Sequence, residues 1–203
     1  MAGLVLLPRI NGGDMTARDI IVIGASLGGL DALSKLLGGL PGELNAAVLI
    51  VLHTSPQSPG LLAAILGQRT PLKVAYGEHG CSVERGHVYI APPDHHLTVS
   101  HPGVVHLDQR AKVRFSRPAA DPLFRSAADV YGPRVIGVVL TGCDGDGTEG
   151  LRAIKAAGGI SVVQDPKEAV APDMPRHAII GDSPDFIVVL SEMAPLLVQL
   201  VTV

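Results

Sequence analysis

Three short segments of the sequence carry the side chains best suited to chemistry. The first, residues 24–29, reads Gly-Ala-Ser-Leu-Gly-Gly, and its Gly-x-Ser-x-Gly pattern lies between a predicted strand and a predicted helix. Glycines allow a sharp turn there and leave the Ser26 hydroxyl exposed, as in the turn that carries the nucleophile of many hydrolases. The same backbone N–H groups could instead hold a phosphate at the start of the helix. The pattern therefore leaves two functions open, a nucleophile and an anion-binding turn.

The second segment is His53, which follows another predicted strand. A histidine at a strand end is often an ordinary polar residue with its hydrogen bonds satisfied. If the two strands are neighbours in a parallel sheet, however, His53 lies on the same edge as Ser26. An imidazole can accept a proton from a serine hydroxyl near neutral pH, so we expect His53 to be a candidate general base.

The third segment, residues 142–147, contains Asp144 and Asp146 in a glycine-rich loop after the most strand-like run of the chain. Either carboxylate could orient the imidazole of His53. A helix is predicted to begin at Thr148, so Asp146 could also cap that helix. A calcium loop is not expected, because Glu149 and Lys155 stand where such a loop needs Gly and Glu. A metal site at His95 and His96 is not expected either, because adjacent residues of an extended segment point to opposite faces.

The elements that must position these residues alternate along the chain. Continuous β-branched runs, typical of strands buried on both faces, alternate with segments of helical periodicity. The sequence thus predicts an α/β fold: a doubly wound, mostly parallel sheet with crossover helices on both faces. Short strands in the middle of the chain predict a small antiparallel hairpin there. The predicted strands cover residues 19–24, 46–53, 71–76, 87–90, 97–100, 104–107, 134–141, 160–164 and 186–190, and the predicted helices cover residues 29–40, 58–67, 121–131, 148–157 and 192 onward.

Composition narrows the class of protein. The chain has 203 residues, 47% of them hydrophobic but only 3% aromatic, so the core must be aliphatic. A formal net charge of -3 without basic runs gives no sign of nucleic-acid binding. The longest apolar runs are far shorter than the roughly 18 residues that span a bilayer, so we expect no membrane insertion and a cytoplasmic protein. The two cysteines, Cys81 and Cys143, match no metal-binding or redox spacing.

Five separated motifs resemble the catalytic domain of the CheB-type protein-glutamate methylesterases of bacterial chemotaxis. The resemblance extends from about residue 19 to about residue 190, with the motifs in the family's order. The motifs are Ile-Gly-Ala-Ser-Leu-Gly-Gly (23–29), His53, Tyr-Ile-Ala-Pro-Pro-Asp-His-His (89–96), Arg-Pro-Ala-Ala-Asp-Pro-Leu-Phe (117–124) and Leu-Thr-Gly-Cys-Asp-Gly-Asp-Gly (140–147).

The resemblance implies a Ser-His-Asp triad of Ser26 as nucleophile, His53 as general base and acid, and Asp146 as the orienting carboxylate. Asp146 is preferred to Asp144 because it directly precedes Gly147, as in the family's loop. The implied reaction is hydrolysis of glutamate γ-methyl esters on the helical cytoplasmic domain of a methyl-accepting chemotaxis receptor, with glutamine deamidation through the same acyl-enzyme. No metal or organic cofactor is implied.

The sequence departs from the family in three places. Leu27 replaces the usual Thr after the nucleophile, Cys143 replaces a Met whose N–H is a candidate oxyanion donor, and Asp144 replaces Gly. A carboxylate at 144 would oppose developing negative charge if it pointed into the site. These altered loops leave a first alternative hypothesis, a catalytically silent receptor- or signal-binding module of the same fold. A second alternative is a nucleotide-binding domain that uses the turn at residues 24–29.

The resemblance also bears on domain organisation. We expect residues 1–18 to be a flexible tail and residues 19–203 to form one catalytic domain. Methylesterases of this kind commonly carry a receiver domain ahead of the catalytic domain, for which 18 residues leave no room. The sequence therefore predicts an enzyme that is either unregulated or controlled by a separate regulatory protein.

Overall fold

A computed structural model describes residues 17–202 of the chain, apart from the side chain at 202. Most of the predicted tail, residues 1–16, lies outside the described residues; Arg18 at its end is buried. The strands are β1 Ile20–Ala25, β2 Ala47–Leu52, β3 Lys73–Tyr76, β4 His87–Ile90, β5 His96–Ser100, β6 Val104–Asp108, β7 Val135–Val139, β8 Ile160–Gln164 and β9 Phe186–Val188. The helices are α1 Gly29–Gly38, α2 Leu62–Gly67, α3 Ala120–Tyr131, α4 Thr148–Ala156, α5 Asp173–Asp182 and α6 Leu190–Thr202.

Seven strands form one parallel sheet in the order β3-β4-β2-β1-β7-β8-β9, and β5 pairs with β6 in a separate antiparallel hairpin. After β1 the next strand, β2, is added on one side of β1 in the sheet. After β7 the next strand, β8, is added on the opposite side, toward the other edge of the sheet. The order therefore reverses between β1 and β7, and open α/β sheets bind their ligands at such a position. The predicted doubly wound sheet with a small hairpin is confirmed.

Two hydrophobic layers cover the sheet. Ile21 and Ile23 of β1 face a layer that includes the buried sides of α1, α2 and α6. Ile20 and Val22 face the opposite layer, to which α3, α4, α5 and the hairpin contribute. Because both faces of β1 are buried, its residues are almost all apolar, which made the strand recognisable in the sequence.

The structure differs from the sequence predictions in two elements. The strand β4 does not join the hairpin but pairs in parallel with β2 and β3. The helix α5 was not predicted at all. Pro172 directly precedes it and Pro175 lies in its first turn, where backbone N–H groups have no partner within the helix and proline is tolerated. The two prolines hide the helical periodicity of this segment in the sequence, but at these positions they do not break the helix.

None of the helices within residues 17–202 is long and apolar enough to cross a membrane.

Candidate active site

A cleft of about 900 Å³ opens at the carboxyl ends of β1 and β2, and Ser26 and His53 both line it. Each residue directly follows its strand. Ala25 and Leu52, the last residues of the two strands, are paired in register, and the His53 N–H donates to the Ala25 carbonyl at 3.0 Å. The hydrogen bonding of the sheet therefore fixes the two residues side by side, as the sequence predicts.

Backbone contacts hold Ser26 in a tight turn. Its N–H donates to the Thr141 carbonyl at 2.9 Å, and its carbonyl accepts from the Gly29 N–H at 2.8 Å. Gly28 takes the left-handed conformation that the turn requires, with φ of 78°, and α1 begins at the next residue. The predicted strand, turn and helix around Ser26 are thus present.

His53 is joined to Asp146 by a hydrogen bond of 2.8 Å between Nε2 and Oδ2. The His53 side chain is 10% exposed and that of Asp146 is fully buried. Burial by itself would lower the pKa of His53, but the hydrogen bond and charge of Asp146, with a smaller contribution from Asp144, raise that pKa above its ordinary value. Burial would raise the pKa of Asp146, but the hydrogen bonds from His53 and from the Ala120 and Asp121 N–H groups lower it. Asp146 is therefore held ionised beside the imidazole.

The carboxylate of Asp146 also caps a helix. Its Oδ2 accepts from the Ala120 N–H at 2.5 Å, and its Oδ1 accepts from the N–H groups of Asp121 and Gly147, both at 3.0 Å. Ala120 and Asp121 open α3, whose own N-cap residue, Ala119, supplies no side-chain hydrogen bond. The sequence suggested that Asp146 would cap the helix beginning at Thr148. The helix that it caps is α3 instead, because the loop folds back toward α3.

The other nitrogen of His53 faces two oxygen atoms. Ser116 Oγ lies 3.4 Å from Nδ1, and Asp144 Oδ2 lies 3.6 Å from it. Asp144 is held in this position because its Oδ1 accepts from the Asp146 N–H at 2.9 Å. The carboxylate at 144 thus points toward the imidazole. Sequence reasoning missed Ser116, since nothing in its local pattern indicates a contact with a residue 63 positions away.

Ser26 and His53 share the cleft, but their side chains form no hydrogen bond with each other. Within residues 17–202, the Ser26 hydroxyl makes no hydrogen bond, either to His53 or to another group. Hydrogen bonds of catalytic groups are often long or absent before substrate binds, and they tighten in the complex. The free hydroxyl lies open to the cleft, where a carbonyl group could meet it.

The loop after β7 offers a donor for negative charge. Over the described part of the chain, the Cys143 N–H donates to no acceptor, so it is available to an oxyanion. The start of this loop is fixed because the Thr141 N–H donates to the buried Gln164 side chain at 2.9 Å, while Thr141 Oγ1 donates to the Leu27 carbonyl at 2.8 Å. Gln164 is a second supporting residue that the sequence did not single out.

The two adjacent histidines, His95 and His96, each lie against a backbone carbonyl. In the span from 17 to 202, no three side chains of His, Cys, Asp or Glu lie close enough to hold a metal ion. His96 is buried with its Nε2 3.2 Å from the Ala111 carbonyl, whereas His95 Nδ1 lies 2.9 Å from the Pro93 carbonyl.

Comparison with known proteins decides the family. Residues 21–197 match the family model described as CheB methylesterase. The chain belongs to the CheB methylesterase family. This confirms the resemblance drawn from the five motifs, and it makes the chain a carboxylic ester hydrolase by family. The crystal structure of the Thermotoga maritima CheB methylesterase catalytic domain superimposes with a TM-score of 0.86 and 34% identity, covering 91% of this chain and 100% of that one.

Two relatives illustrate the range of lengths within the family. A Leptospira interrogans protein, provisionally named protein-glutamate methylesterase/protein-glutamine glutaminase, is 38% identical over 90% of this chain and 94% of its own length. A Methanosarcina mazei protein named protein-glutamate methylesterase/protein-glutamine glutaminase 2 is 39% identical over 92% of this chain but only 53% of its own length. The CheB domain of this chain thus matches almost all of one relative and about half of the other.

Proposed function

We propose that this CheB domain hydrolyses glutamate γ-methyl esters on a chemotaxis receptor, with Ser26 as nucleophile, His53 as general base and acid, and Asp146 as the carboxylate that orients His53. The observation that carries the proposal is the 2.8 Å bond between His53 and buried Asp146, set beside the free hydroxyl of Ser26. The same groups would hydrolyse the side-chain amide of glutamine, with ammonia as leaving group in place of methanol.

The hydrogen bond to Asp146 determines which nitrogen of His53 is the base. Because Nε2 donates its hydrogen to Asp146, the lone pair of the neutral imidazole is on Nδ1. As Ser26 Oγ attacks the ester carbonyl carbon, its proton passes to Nδ1, and the C=O π electrons move to the carbonyl oxygen. The resulting imidazolium is stabilised by Asp146, and the Cys143 N–H, which has no acceptor among the described residues, is the candidate donor to the oxyanion.

Collapse of this tetrahedral intermediate breaks the bond to the methoxy group. The proton on His53 Nδ1 passes to the departing oxygen, so methanol leaves and an acyl-enzyme remains on Ser26. A water molecule then gives a proton to Nδ1 as it attacks the acyl carbon. The second intermediate collapses with return of that proton to Ser26 Oγ, which restores the enzyme and releases the glutamate side chain as a carboxylic acid, whose remaining proton is lost to water.

The deciding experiment measures methanol released from a methylated receptor. Wild-type protein should release methanol, and Ser26→Ala should lose at least about 10³-fold of that rate, since the acyl-enzyme of the proposed mechanism forms on the Ser26 hydroxyl. Ser34→Ala is a matched control, because Ser34 lines the same cleft but donates its hydroxyl to the Leu30 carbonyl at 2.8 Å. Receptor binding by wild type without any methanol release would overturn the proposal in favour of a silent binding module.

A further inference from the structure

A strained turn lies beside His53. Val113 and Ser116 exchange two backbone hydrogen bonds, of 3.1 and 2.9 Å, which leave Arg114 and Phe115 as the two central residues. Both have positive φ, 47° for Arg114 and 65° for Phe115. Two-residue turns with positive φ at both positions strongly favour Asn and Gly, because side chains are crowded in this conformation. An Arg-Phe pair is therefore a costly choice of residues for this turn.

The inner side of the turn is fixed onto the active site. Ser116 Oγ lies 3.4 Å from His53 Nδ1, and Arg114 Nε lies 3.8 Å from buried Asp121. At the base of the same loop, the Arg117 guanidinium binds Asp94 at 2.7 and 3.0 Å and donates to two backbone carbonyls at 2.8 Å. The position of the turn relative to His53 is thus determined by contacts on both of its arms.

The outer side of the turn presents Phe115. Its side chain is 95% exposed, whereas Phe124 and Phe186, the other phenylalanines of the chain, are buried. Exposure of a large aromatic ring contributes nothing to the core, so neither the strain nor the choice of residue is explained by folding. Strained residues that a surrounding structure holds in place are concentrated at functional sites, and exposed aromatic residues are concentrated at interaction sites.

The lining of the cleft includes exposed apolar side chains beside charged ones. Leu27, Leu30 and Ile65 line the cleft and are 60%, 40% and 39% exposed. An ester side chain that enters the cleft leaves the backbone that carries it outside. Phe115 is the chain neighbour of Ser116, which lies 3.4 Å from His53 of the cleft lining. On a helix, residues three and four positions apart lie on the same face, about 5–6 Å apart. An apolar residue one turn from the esterified glutamate would thus meet the rim of the cleft.

We propose that Phe115 is a docking anchor for the protein substrate. It packs against an apolar residue three or four positions from the esterified glutamate, on the helical receptor segment that carries the ester. This inference rests on the proposed function. It makes Phe115 a determinant of substrate binding and not of the chemical step, since Phe115 is 95% exposed, whereas its neighbour Ser116 lies beside His53.

The test compares a protein substrate with a small one. Phe115→Ala should lower kcat/KM for methylated receptor about tenfold, mainly through KM, as truncation of a buried aromatic anchor does. Hydrolysis of a small ester, the γ-methyl ester of N-acetylglutamate amide, should stay within about twofold of wild type, because this substrate ends inside the cleft. Equal losses on both substrates would show a structural role and overturn the inference, and so would an unchanged rate on receptor.

Two further variants separate anchoring from folding. Phe115→Gly keeps the Arg114 contact with Asp121 and supplies a residue that the turn favours, so its melting temperature should not fall, yet it should show the same defect on receptor. Ile187→Ala removes an exposed apolar side chain from the edge strand β9, far along the sheet from β1, and should change neither substrate's rate. A fully active Phe115→Gly variant would overturn the inference.

The affinity for methylated receptor, measured by calorimetry in the Ser26→Ala background, distinguishes this inference from the proposed function. Phe115→Ala should weaken that affinity about tenfold. If wild type releases no methanol but the affinity still falls, the proposed function fails and the anchor remains. If methanol is released and the affinity is unchanged, the anchor fails and the proposed function remains.

Discussion

Replacement of Asp146 by asparagine should damage both activity and stability, because its two oxygens are equally occupied. Oδ2 accepts from His53 and from the Ala120 N–H, and Oδ1 accepts from the N–H groups of Asp121 and Gly147. An asparagine has one acceptor oxygen and one NH₂ group, which only donates. Whichever way the amide is turned, two donors lose their acceptor and meet another donor.

The magnitude follows from the two hydrogen bonds lost. Hydrogen bonds to a charged group contribute about 1.5–3 kcal/mol each, so Asp146→Asn should lower the free energy of unfolding by about 3 kcal/mol or more. For a chain of this size, each kcal/mol corresponds to roughly 2–4 °C, which predicts a fall in melting temperature of about 6–12 °C.

Asp146→Asn should also lower kcat through a cause that is separate from the loss of stability. If the NH₂ group faces His53, Nε2 must accept from it, and the imidazole proton moves to Nδ1. Nδ1 then cannot accept the proton of Ser26. The same misplaced proton in a serine protease triad costs about 10⁴-fold in kcat, and we expect a loss of that order here.

The assay combines methanol release with thermal unfolding followed by circular dichroism. Asp19→Asn is the matched control: Asp19 is also a buried carboxylate, bound by Arg85 and Arg134, but it lies at the opposite end of β1 from Ser26. This variant should melt at a lower temperature and keep its kcat. The reasoning is refuted if Asp146→Asn retains more than about a tenth of wild-type kcat or melts at the wild-type temperature.

Two other substitutions test the surroundings of the site. Burial lowers the pKa of His53, whereas the charges of Asp146 and then Asp144 raise it. Asp144→Asn removes one of these charges and should therefore lower the pKa of His53. Because the base must be neutral, the acid limb of the kcat/KM–pH profile should move to lower pH. An unmoved or alkaline-shifted limb would contradict the role given to Asp144. Gly24→Ala would place a Cβ 2.7 Å from the Ala120 Cβ, and should lower stability by about 1–3 kcal/mol in a denaturant titration. It should also reduce methanol release, because it pushes on the start of α3, where Ala120 holds Asp146.

Each of these changes has a control in the chain. Asp173→Asn removes an exposed carboxylate from the start of α5 and should leave the pH profile in place. Gly67→Ala adds a Cβ that meets its nearest neighbour at an ordinary 3.7 Å, so the stability should change little or increase slightly.

The sheet could be predicted because its central strands are buried on both faces. The runs at β1, β2 and β7 are nearly all apolar, and the glycines and polar residues that follow them mark the carboxyl ends. The strand-end rule then selected Ser26 and His53 without any knowledge of contacts. The positions of these two residues in the fold follow from the sequence because each comes directly after a strand. No long loop separates either residue from the strand end that places it.

Features that depend on contacts between distant loops could not be predicted. Asp144 and Asp146 lie in one glycine-rich loop, and the residues alone left both open as the orienting group. The fold separates them, since Asp146 reaches Nε2 of His53 and Asp144 lies on the Nδ1 side. The approach of Ser116 to His53 likewise depends on a loop whose course is set by tertiary contacts, and no local periodicity encodes it.

The link between α3 and Asp146 explains how a carboxylate can stay ionised where it is fully buried. A buried charge is costly unless it is paired and hydrogen-bonded, and Asp146 has both an imidazole and the N–H groups that open α3. The start of a helix carries partial positive charge, which adds to the stabilisation of the anion. Because the anion in turn keeps the hydrogen on Nε2 of His53, the beginning of α3 determines which nitrogen of His53 is free to accept a proton. A change that displaces this helix start should therefore reduce activity even when Ser26, His53 and Asp146 are all intact.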